Sequence, residues 1–283
     1  MNNIKIQTSY DGTSSLYLIP TPIGNMNDIT NRAIDTLNMV DLILCEDTRV
    51  TAELLSKLGI KKKLIHSDDH TENNLKEKVL ELLQSGKNIG LITDRGTPII
   101  SDPGYKIVEY VSNNGFNVIS LPGATAFVPA LTMSAIAPSP FLFYGFLNNK
   151  SSKRKKELDS LKHLSYTIIF YEAPHRIEDT LNDLLTVFGD RKIALCREIS
   201  KKFEECIRGR ISEVLGHIEG IKGEIVLVVS GNLEDNDFSE MTLREHVQLY
   251  LDDGLSEKDA IKKVAFERKI QKSIVYKEYH LNK

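Results

Sequence analysis

The alternation of hydrophobic and polar positions predicts short strands separated by amphipathic helices along the first 121 residues. The predicted strands are residues 16–19, 40–44, 64–65, 89–93 and 117–121. The predicted helices between them are residues 30–38, 50–58, 72–85 and 103–114. Gly59 and Gly86 follow two of these helices, at the position where a residue in the left-handed conformation commonly ends a helix. This order of elements indicates a largely parallel sheet covered by helices.

A change in composition separates these elements from a second set. Residues 122–140 are small, apolar and rich in proline, which we interpret as a buried crossover between two domains. Beyond it, residues 141–146 begin a second unit, whose predicted strands are residues 166–171, 192–196 and 224–229, with a helix at residues 177–188. A polar linker is predicted at residues 232–239. Three helical patterns then predict a small helix-turn-helix-like unit, at residues 242–252, 256–267 and 271–281.

The pattern therefore predicts a flexible N-terminus, two α/β domains and a helical C-terminal unit. The predicted boundaries are residues 1–15, 16–121, 122–231 and 232–283. A chain of 283 residues is long enough for two domains of ordinary size.

Composition narrows the class of protein. Hydrophobic residues make up 41% of the chain and charged residues 27%, which is enough to build ordinary folded cores. The formal net charge of −3 excludes a uniformly basic nucleic-acid-binding protein, but it does not exclude a local basic patch. An odd count of 3 cysteines favours a reducing compartment, and no apolar run reaches the length of a membrane helix. We therefore expect a cytoplasmic protein without a membrane partner.

Turn residues and acids follow three of the predicted strands, in the segments TPIGN (21–25), CEDTR (45–49) and TDRGTP (93–98). Parallel sheets bind ligands outside the carboxyl ends of their strands, so we expect these loops to converge on one crevice. The chain contains neither a P-loop nor the usual glycine-rich dinucleotide fingerprint. His66 and His70 are more typical of a polar loop than of a metal site, and we expect no metal.

The chain also resembles a known family, in motifs that occur in the same order and spacing. These motifs are LYLIPTPIGNMNDIT (16–30), CEDTRVT (45–51), TDRGTPIISDPG (93–104), LPGATA (121–126), FYEAPHR (170–176), CREISKKFEE (196–205) and KGEIVLVV (222–229). They resemble the tetrapyrrole-methylase superfamily and, within it, the bacterial methyltransferases that modify the ribose 2′-oxygen of a 16S rRNA cytidine. The C-terminal helical unit resembles the helix-turn-helix extension of that family.

The resemblance implies an α/β fold of the class III methyltransferase type. In such a fold two αβα domains hold S-adenosylmethionine (SAM) in the cleft between them, and a small helical unit follows. The implied activity is methylation of a decoding-centre cytidine in 16S rRNA, within the 30S subunit, by a homodimer. Gly96 would let the backbone approach the ligand, and Pro98 would hold the loop rigid. The residues implied to contact SAM are Pro22, Ile23, Gly24, Asp94, Gly96, Thr97, Pro98, Ile99, Ser101, Pro122, Gly123 and Tyr171.

Methyl transfer to a ribose hydroxyl requires in-line placement and a group that accepts the hydroxyl proton. Glu46 and Asp47 end the second predicted strand at the expected crevice, and Glu172 lies in a motif of the second domain. These three acids are the candidates for the base. The alternative for Glu46 and Asp47 is an ion pair or a helix cap beside Arg49, and the resemblance does not decide between these roles.

RNA binding requires cations that contact phosphates. The run KSSKRKK (150–156) concentrates basic residues in an otherwise acidic chain, although such a run is often only a solvated loop. Arg95 replaces the alanine of the family's D-A-G-T-P string. It could point to solvent or to the donor's carboxylate, and our hypothesis is that it contacts RNA. The candidate RNA-binding residues are Arg32, Arg49, Arg95, Lys153, Arg154, Lys155, Lys156, His175 and Arg176.

Two other functions stay open at this point. A methylase of the same superfamily could act on a tetrapyrrole, although that substrate needs neither the basic run nor the helical tail. A protein of this fold could also bind RNA without catalysis, although the intact cofactor motifs argue against it. Arg197, Glu198, Lys201 and Glu204 match a further family string, and their alternating charges equally fit a structural salt-bridge network.

Overall fold

A computed structural model describes residues 6–9, 11–232, 241–252, 254–268 and 270–281. The chain divides into two compact units, Met1–Gly231 and Asn232–Lys283. The larger unit contains two five-stranded sheets, and the smaller one contains helices. The predicted boundary at residue 121 between two α/β domains stays a prediction. Among the described residues, no helix combines the length and apolar character needed to cross a bilayer.

The first sheet is entirely parallel, as the alternation of strands and helices predicted. Its order is β3-β2-β4-β1-β5. Its strands are β1 (Ser15–Leu18), β2 (Leu42–Cys45), β3 (Lys63–His66), β4 (Ile89–Leu91) and β5 (Asn117–Ser120). The helices between them are α1 (Asn31–Met39), α2 (Thr48–Lys57), α3 (Glu72–Gln84) and α4 (Tyr105–Asn113).

Two hydrophobic cores cover the two faces of this sheet, which is why its central strands β2 and β4 are buried and apolar along their whole length. In one core Ile43 packs with Leu37 of α1 and Leu55 of α2. In the other, Leu16 packs with Val79 of α3 and Ile107 of α4. The parallel strands therefore all end at one edge of a sheet that is enclosed by helices.

Helix ends in this sheet follow local capping chemistry. Thr30 caps α1, because its side chain accepts a hydrogen bond from the Ala33 N–H at 3.0 Å. Gly59 and Gly86 adopt φ values of +70° and +85° just beyond α2 and α3, as their positions predicted.

The second sheet is mixed, with the order β6-β7-β10-β8-β9. Only β6 and β7 pair in parallel, and the other neighbours are antiparallel. Its strands are β6 (Phe141–Phe146), β7 (Thr167–Glu172), β8 (Lys192–Arg197), β9 (Glu205–Arg210) and β10 (Ile225–Val229). Its helices are α5 (Phe127–Met133), α6 (Ser151–Leu161), α7 (Ile177–Phe188) and α8 (Ile211–Leu215). The sequence did not predict β9, because the segment ECIRGR is a half-exposed edge strand without a continuous apolar face.

Two segments differ from their predictions. Residues 122–140 form α5 and its flanking loops, and only part of the segment is buried: Ala130 and Leu131 lie in the core, whereas Val128 is 44% exposed. The predicted burial therefore holds for only part of the segment, and its role as a crossover between two domains stays a prediction. The basic run at 150–156 is not a solvated loop, because α6 begins at Ser151 and one of its cations is buried.

The smaller unit contains three helices, α9 (Leu243–Asp252), α10 (Glu257–Glu267) and α11 (Lys272–Leu281), within a residue or so of the predicted positions. They share a core that includes Val247, Tyr250, Ile261, Val264 and Val275. Ser256 caps α10 through a side-chain hydrogen bond from the Asp259 N–H. Apart from residue 232, the predicted linker lies outside the described residues.

Candidate active site

The candidate site is a cleft of about 530 Å³, called here the central cleft. Part of its lining comes from the loop that follows β4, and the rest comes mainly from β7, β10 and the loops beside them. The lining residues are Ile23, Val50, Asp94, Arg95, Gly96, Thr97, Ile100, Ser101, Asp102, Thr125, Ala126, Phe146, Tyr171, Glu172, Ala173, Pro174, Glu224, Ile225 and Val226.

The loop after β4 has an unusual backbone. Ile99 and Ser101 both have φ of 65°, a region that residues with a side chain rarely adopt. Gly96 has φ of +86°, and a Cβ there would lie 3.3 Å from a methyl group of Ile23. Such conformations cost energy and are retained mainly where surrounding structure and function require them. The turn residues at the end of this strand therefore form a tightly folded loop.

The role expected for Gly96 needs a correction. Its N–H donates to the Thr21 carbonyl at 3.0 Å, and its carbonyl accepts from the Thr21 N–H at 2.9 Å. Both backbone groups are therefore used to join the loops after β1 and β4. Glycine is needed here for its left-handed φ. Thr97 extends this arrangement, because its hydroxyl donates to the Ala124 carbonyl at 3.0 Å.

The structure brings together half of the residues implied to contact SAM. Those that line the central cleft are Ile23, Asp94, Gly96, Thr97, Ser101 and Tyr171. The others lie in the adjoining loops but do not line the cleft: Pro22, Gly24, Pro98, Ile99, Pro122 and Gly123. Gly24 and Gly123 have packing roles, since a Cβ at these positions would collide with Lys201 and Pro20 respectively.

Asp102 is a site residue that the sequence analysis missed. It lines the central cleft beside Ser101, and its pKa is raised to about 6. Burial is the main cause, the negative charges of Glu46 and Asp94 add to it, and the Thr93 hydroxyl partly offsets it. The sequence does contain a signal for this site residue, because Asp102 stands between Ser101 and a proline in a loop at a strand end. An aspartate at such a position is equally typical of a turn.

Glu46 and Asp47 have different environments although they are adjacent. Asp47 caps α2 by accepting from the Arg49 N–H at 2.8 Å, and the Arg49 guanidinium also binds it, at 2.7 Å. These hydrogen bonds hold the pKa of Asp47 well below its ordinary range, which makes it a weak base. Burial and the charge of Asp94 raise the pKa of Glu46. Glu46 lines a separate small cavity with Ser67 and Thr93.

Glu172 is a structural group in this fold, which corrects its assignment as a candidate base. The carboxylate is fully buried and accepts from the Thr180 hydroxyl at 2.6 Å and from the Ala173 N–H at 2.8 Å. It also forms an ion pair with Arg176 at 3.2 Å. With both oxygens occupied, Glu172 stabilises the turn between β7 and α7 and has little capacity to take a proton.

Several predicted RNA-binding cations are also structural. Arg154 is 2% exposed, and its Nε lies 2.7 Å from an Asp183 carboxylate oxygen. Because a buried guanidinium cannot reach a phosphate, the prediction for Arg154 is wrong. Arg176 is half-buried against Glu172 and donates to the Leu147 carbonyl at 2.8 Å, so it also has a structural role and is not an RNA contact.

The remaining basic candidates lie at the surface. Arg49 is held by Asp47, and Lys155 pairs with Asp183 at 3.3 Å while keeping 45% of its side chain exposed. Arg95, in the loop after β4, forms an ion pair with Glu224, which precedes β10 and also lines the central cleft. The other exposed candidates are Arg32, Lys153, Lys156 and His175.

The charges of the segment REISKKFEE form a salt-bridge network, the structural alternative considered for them. Lys201 lies 2.8 Å from oxygens of both Glu198 and Glu224. Arg197 pairs with Glu205 at 2.6 Å, and Ser200 donates its N–H to Glu204. Because Glu224 also binds Arg95, this network joins the second sheet to the cleft loop of the first.

Comparison with known proteins places the chain in a family. Residues 15–215 match the family of Tetrapyrrole (Corrin/Porphyrin) Methylases. The chain belongs to this family. Among its relatives is "Ribosomal RNA small subunit methyltransferase I" of Bacillus subtilis, which is 48% identical over 98% of this chain and 99% of that protein. The protein of the same name from Halalkalibacterium halodurans is 40% identical over 98% and 99%.

A solved structure shows that the methylase fold extends to distant relatives. The uroporphyrin-III-C-methyltransferase of Thermus thermophilus matches with a TM-score of 0.56 at 18% identity, covering 77% of this methylase and 94% of that chain. At this identity the likeness establishes the fold alone.

The chemistry of the central cleft fits a cationic donor. Asp94 and Asp102 place negative charge inside it, and Ile23, Ile100 and Tyr171 supply apolar surface. A sulfonium compound with an adenosine group requires both features, since a cation needs a countercharge and a purine ring needs apolar contacts. Among the described residues, no group of three His, Cys, Asp or Glu side chains is placed to hold a metal ion.

Proposed function

We propose that this methylase transfers a methyl group from SAM to the ribose 2′-oxygen of a cytidine in the decoding centre of 16S rRNA. The observation that supports it most strongly is similarity over nearly the full chain to proteins named Ribosomal RNA small subunit methyltransferase I. The acidic, partly apolar central cleft supports the choice of donor.

When bound, SAM supplies a methyl group on a sulfonium centre that is already electrophilic. The residues of the chain have to position the ribose hydroxyl, exclude water and accept a proton. Ile100, Phe146 and Ile225 provide apolar surface in the cleft that excludes water. Asp102 is the best-placed acceptor, because it lines the cleft and is ionised at neutral pH with a pKa of about 6. Glu46 is the second candidate.

Exposed cations support an RNA substrate over a tetrapyrrole. Lys153 and Lys156 of α6 are exposed, and α6 begins five residues after the cleft residue Phe146. Together with Arg32, Arg95, Lys155 and His175 they form the set of phosphate contacts that we propose. The second candidate function is C-methylation of uroporphyrinogen or a corrin precursor, since the chain belongs to the family of Tetrapyrrole (Corrin/Porphyrin) Methylases.

Labelled SAM distinguishes these functions in one assay. The purified protein is incubated with 30S subunits that lack the modification or with uroporphyrinogen. Label in 16S rRNA, with a primer-extension stop at one cytidine at low nucleotide concentration, is the expected result. Label in the tetrapyrrole would support the second function, and failure to bind SAM or its demethylated product would contradict both.

Arg95 is proposed to contact RNA, and its ion pair with Glu224 gives a matched test. Arg95→Ala should raise KM for 30S subunits about 3- to 10-fold, because a phosphate contact is lost. Glu224→Gln removes the partner and keeps the cation, so KM should change less than about 2-fold. Both side chains are more than half exposed, and the pair therefore contributes little stability. If the two variants change KM equally, the ion pair has a structural role and the proposed RNA contact of Arg95 is wrong.

The homodimer and the cytoplasmic location stay predictions. Val128 and Phe141, within and beside the apolar segment of residues 122–140, are 44% and 43% exposed. Such apolar side chains are typical of a surface that a second copy could cover. Light scattering of the purified chain measures its mass in solution directly.

A further inference from the structure

Phe146 is an exposed aromatic residue inside the central cleft. It is the last residue of β6, it lines the cleft, and 54% of it is exposed. The other large aromatic side chain of the lining, Tyr171, is largely enclosed. An exposed phenylalanine at a binding site costs hydration free energy unless a ligand covers it, so its position requires an explanation.

The local backbone places Phe146 there. A β-bulge between Phe143 and Gly145 interrupts the pairing of β6 with β7, and bulges commonly redirect side chains beside active sites. Gly145 has φ of +84°, and a Cβ there would lie 2.9 Å from the Ser101 hydroxyl of the cleft loop. The end of β6 therefore packs directly against the loop that contains Asp102.

The ring itself is held in place. Phe146 pairs with Tyr171 in the sheet register, and the two ring centroids lie 5.5 Å apart with planes inclined by 63°. Tyr171 in turn contacts Phe143 edge-on at 4.9 Å. One side of the Phe146 ring is thus fixed by an aromatic contact, while the rest of the side chain stays exposed. A fixed and partly open ring is suited to stacking against a planar ligand.

The chain runs from Phe146 directly into basic surface. Lys150, Lys153 and Lys156 are exposed within the next ten residues. Buried Arg154 contacts the Asn148 and Asn149 carbonyls at 3.4 Å, which fixes the connection between the ring and the helix. Aromatic rings beside lysines are the combination by which proteins bind unpaired nucleotides.

We propose that Phe146 is the stacking platform for the nucleobase of the nucleotide that is methylated. This inference rests on the proposed function, because it assumes an RNA substrate. A cytidine whose ribose enters the cleft must leave its stack, and the Phe146 ring replaces part of the stacking that the base loses. The adenine of the donor is the other planar group available, but cofactor sites enclose most of their ligand, whereas Phe146 is more than half exposed.

The test is Phe146→Ala, assayed with 30S subunits and, separately, for binding of S-adenosylhomocysteine by calorimetry. KM for 30S subunits should rise about 10-fold, as expected for loss of one base–aromatic stack, and the affinity for S-adenosylhomocysteine should stay within about 2-fold. Phe146→Tyr should restore KM, whereas Phe146→Leu, which is apolar but not aromatic, should not. Tyr166→Ala is the matched control, because Tyr166 is a similarly exposed aromatic residue, at 45%, that precedes β7 and does not line the central cleft.

Two outcomes would contradict the proposed stacking role of Phe146. Weaker binding of S-adenosylhomocysteine by Phe146→Ala, with an unchanged KM for 30S subunits, would assign the ring to the donor's adenine. Wild-type values in both assays would show that the ring contacts neither ligand. Failure of the proposed function is distinguishable, because the wild-type protein would then not label rRNA at all. In that case the stacking role proposed for Phe146 is also wrong.

Discussion

Replacing Asp102 with asparagine should lower kcat for 30S methylation about 100-fold, the smaller end of the loss expected when a general base is removed. Asparagine preserves the shape of the side chain but cannot take the proton. In the wild-type protein, kcat should rise with pH through about 6, the pKa of Asp102, and then level off. The variant should lose this dependence. Single-turnover transfer of labelled methyl groups, measured across this pH range, tests both statements.

Two matched variants identify the group responsible. Asp69→Asn removes the same charge from an exposed neighbour whose field acts on Asp102, and its kcat should stay within about 2-fold of wild type. Glu46→Gln tests the other candidate base. If Glu46→Gln abolishes activity while Asp102→Asn retains it, Glu46 accepts the proton and the assignment of Asp102 is wrong.

Asp102→Asn should also change stability, in the opposite direction to activity. The folded-state pKa of about 6 exceeds the ordinary value of 3.8, so ionisation of Asp102 opposes folding. This cost is absent below about pH 4, grows as pH rises to about 6 and is complete above it. After allowance for partial solvent screening, the variant should be more stable than wild type by about 1–2 kcal/mol near neutral pH. Thermal unfolding should show this difference disappear in acid.

Arg154→Ala should destabilise the folded protein by about 3–5 kcal/mol, because it leaves the buried Asp183 carboxylate without its main countercharge. Arg154 and Asp183 are both buried, at 2% and 7% side-chain exposure, and their closest atoms are 2.7 Å apart. For a unit of this size the loss corresponds to a fall in Tm of about 10 °C. Far-ultraviolet circular dichroism during heating measures it.

Lys155→Ala is the control for this prediction. Lys155 binds the same carboxylate from the surface, and exposed ion pairs contribute about 1 kcal/mol or less. The double variant Arg154→Met with Asp183→Leu should recover much of the lost stability, since apolar replacement of a buried ion pair is often tolerated. A normal Tm for Arg154→Ala, together with weaker binding of 30S subunits, would restore Arg154 as a phosphate contact.

Elements with a strong local pattern were predictable. Helix α7, with its regular apolar face, occupies the predicted residues, and all five strands of the parallel sheet lie within a few residues of their predicted positions. Strand β9 was not predictable, because an edge strand exposes half of its side chains and loses the apolar signature. The mixed pairing of the second sheet is a matter of connectivity, which hydrophobic periodicity does not encode.

The candidate site was predictable in location but only partly in residues. The carboxyl ends of parallel strands meet at one edge, so Asp94 and its loop could be placed at a crevice from the order of elements. The roles of individual charged residues were harder to predict from the sequence. Arg154 and Lys153 are neighbours in one basic run, yet one is buried in an ion pair and the other is exposed.

The sequence by itself determined the parallel sheet, the three C-terminal helices, the family and the segments that surround the central cleft. The strands and helices have a periodic pattern of apolar residues within each segment, and the family and the cleft segments have motifs that can be recognised in the sequence. Only the tertiary structure decided that Asp102 faces the cleft with a raised pKa, that Glu172 and Arg154 are occupied in the interior, and that Phe146 is exposed. Burial and countercharge depend on what distant segments place around a side chain, and for Arg154 that group is Asp183, 29 residues away.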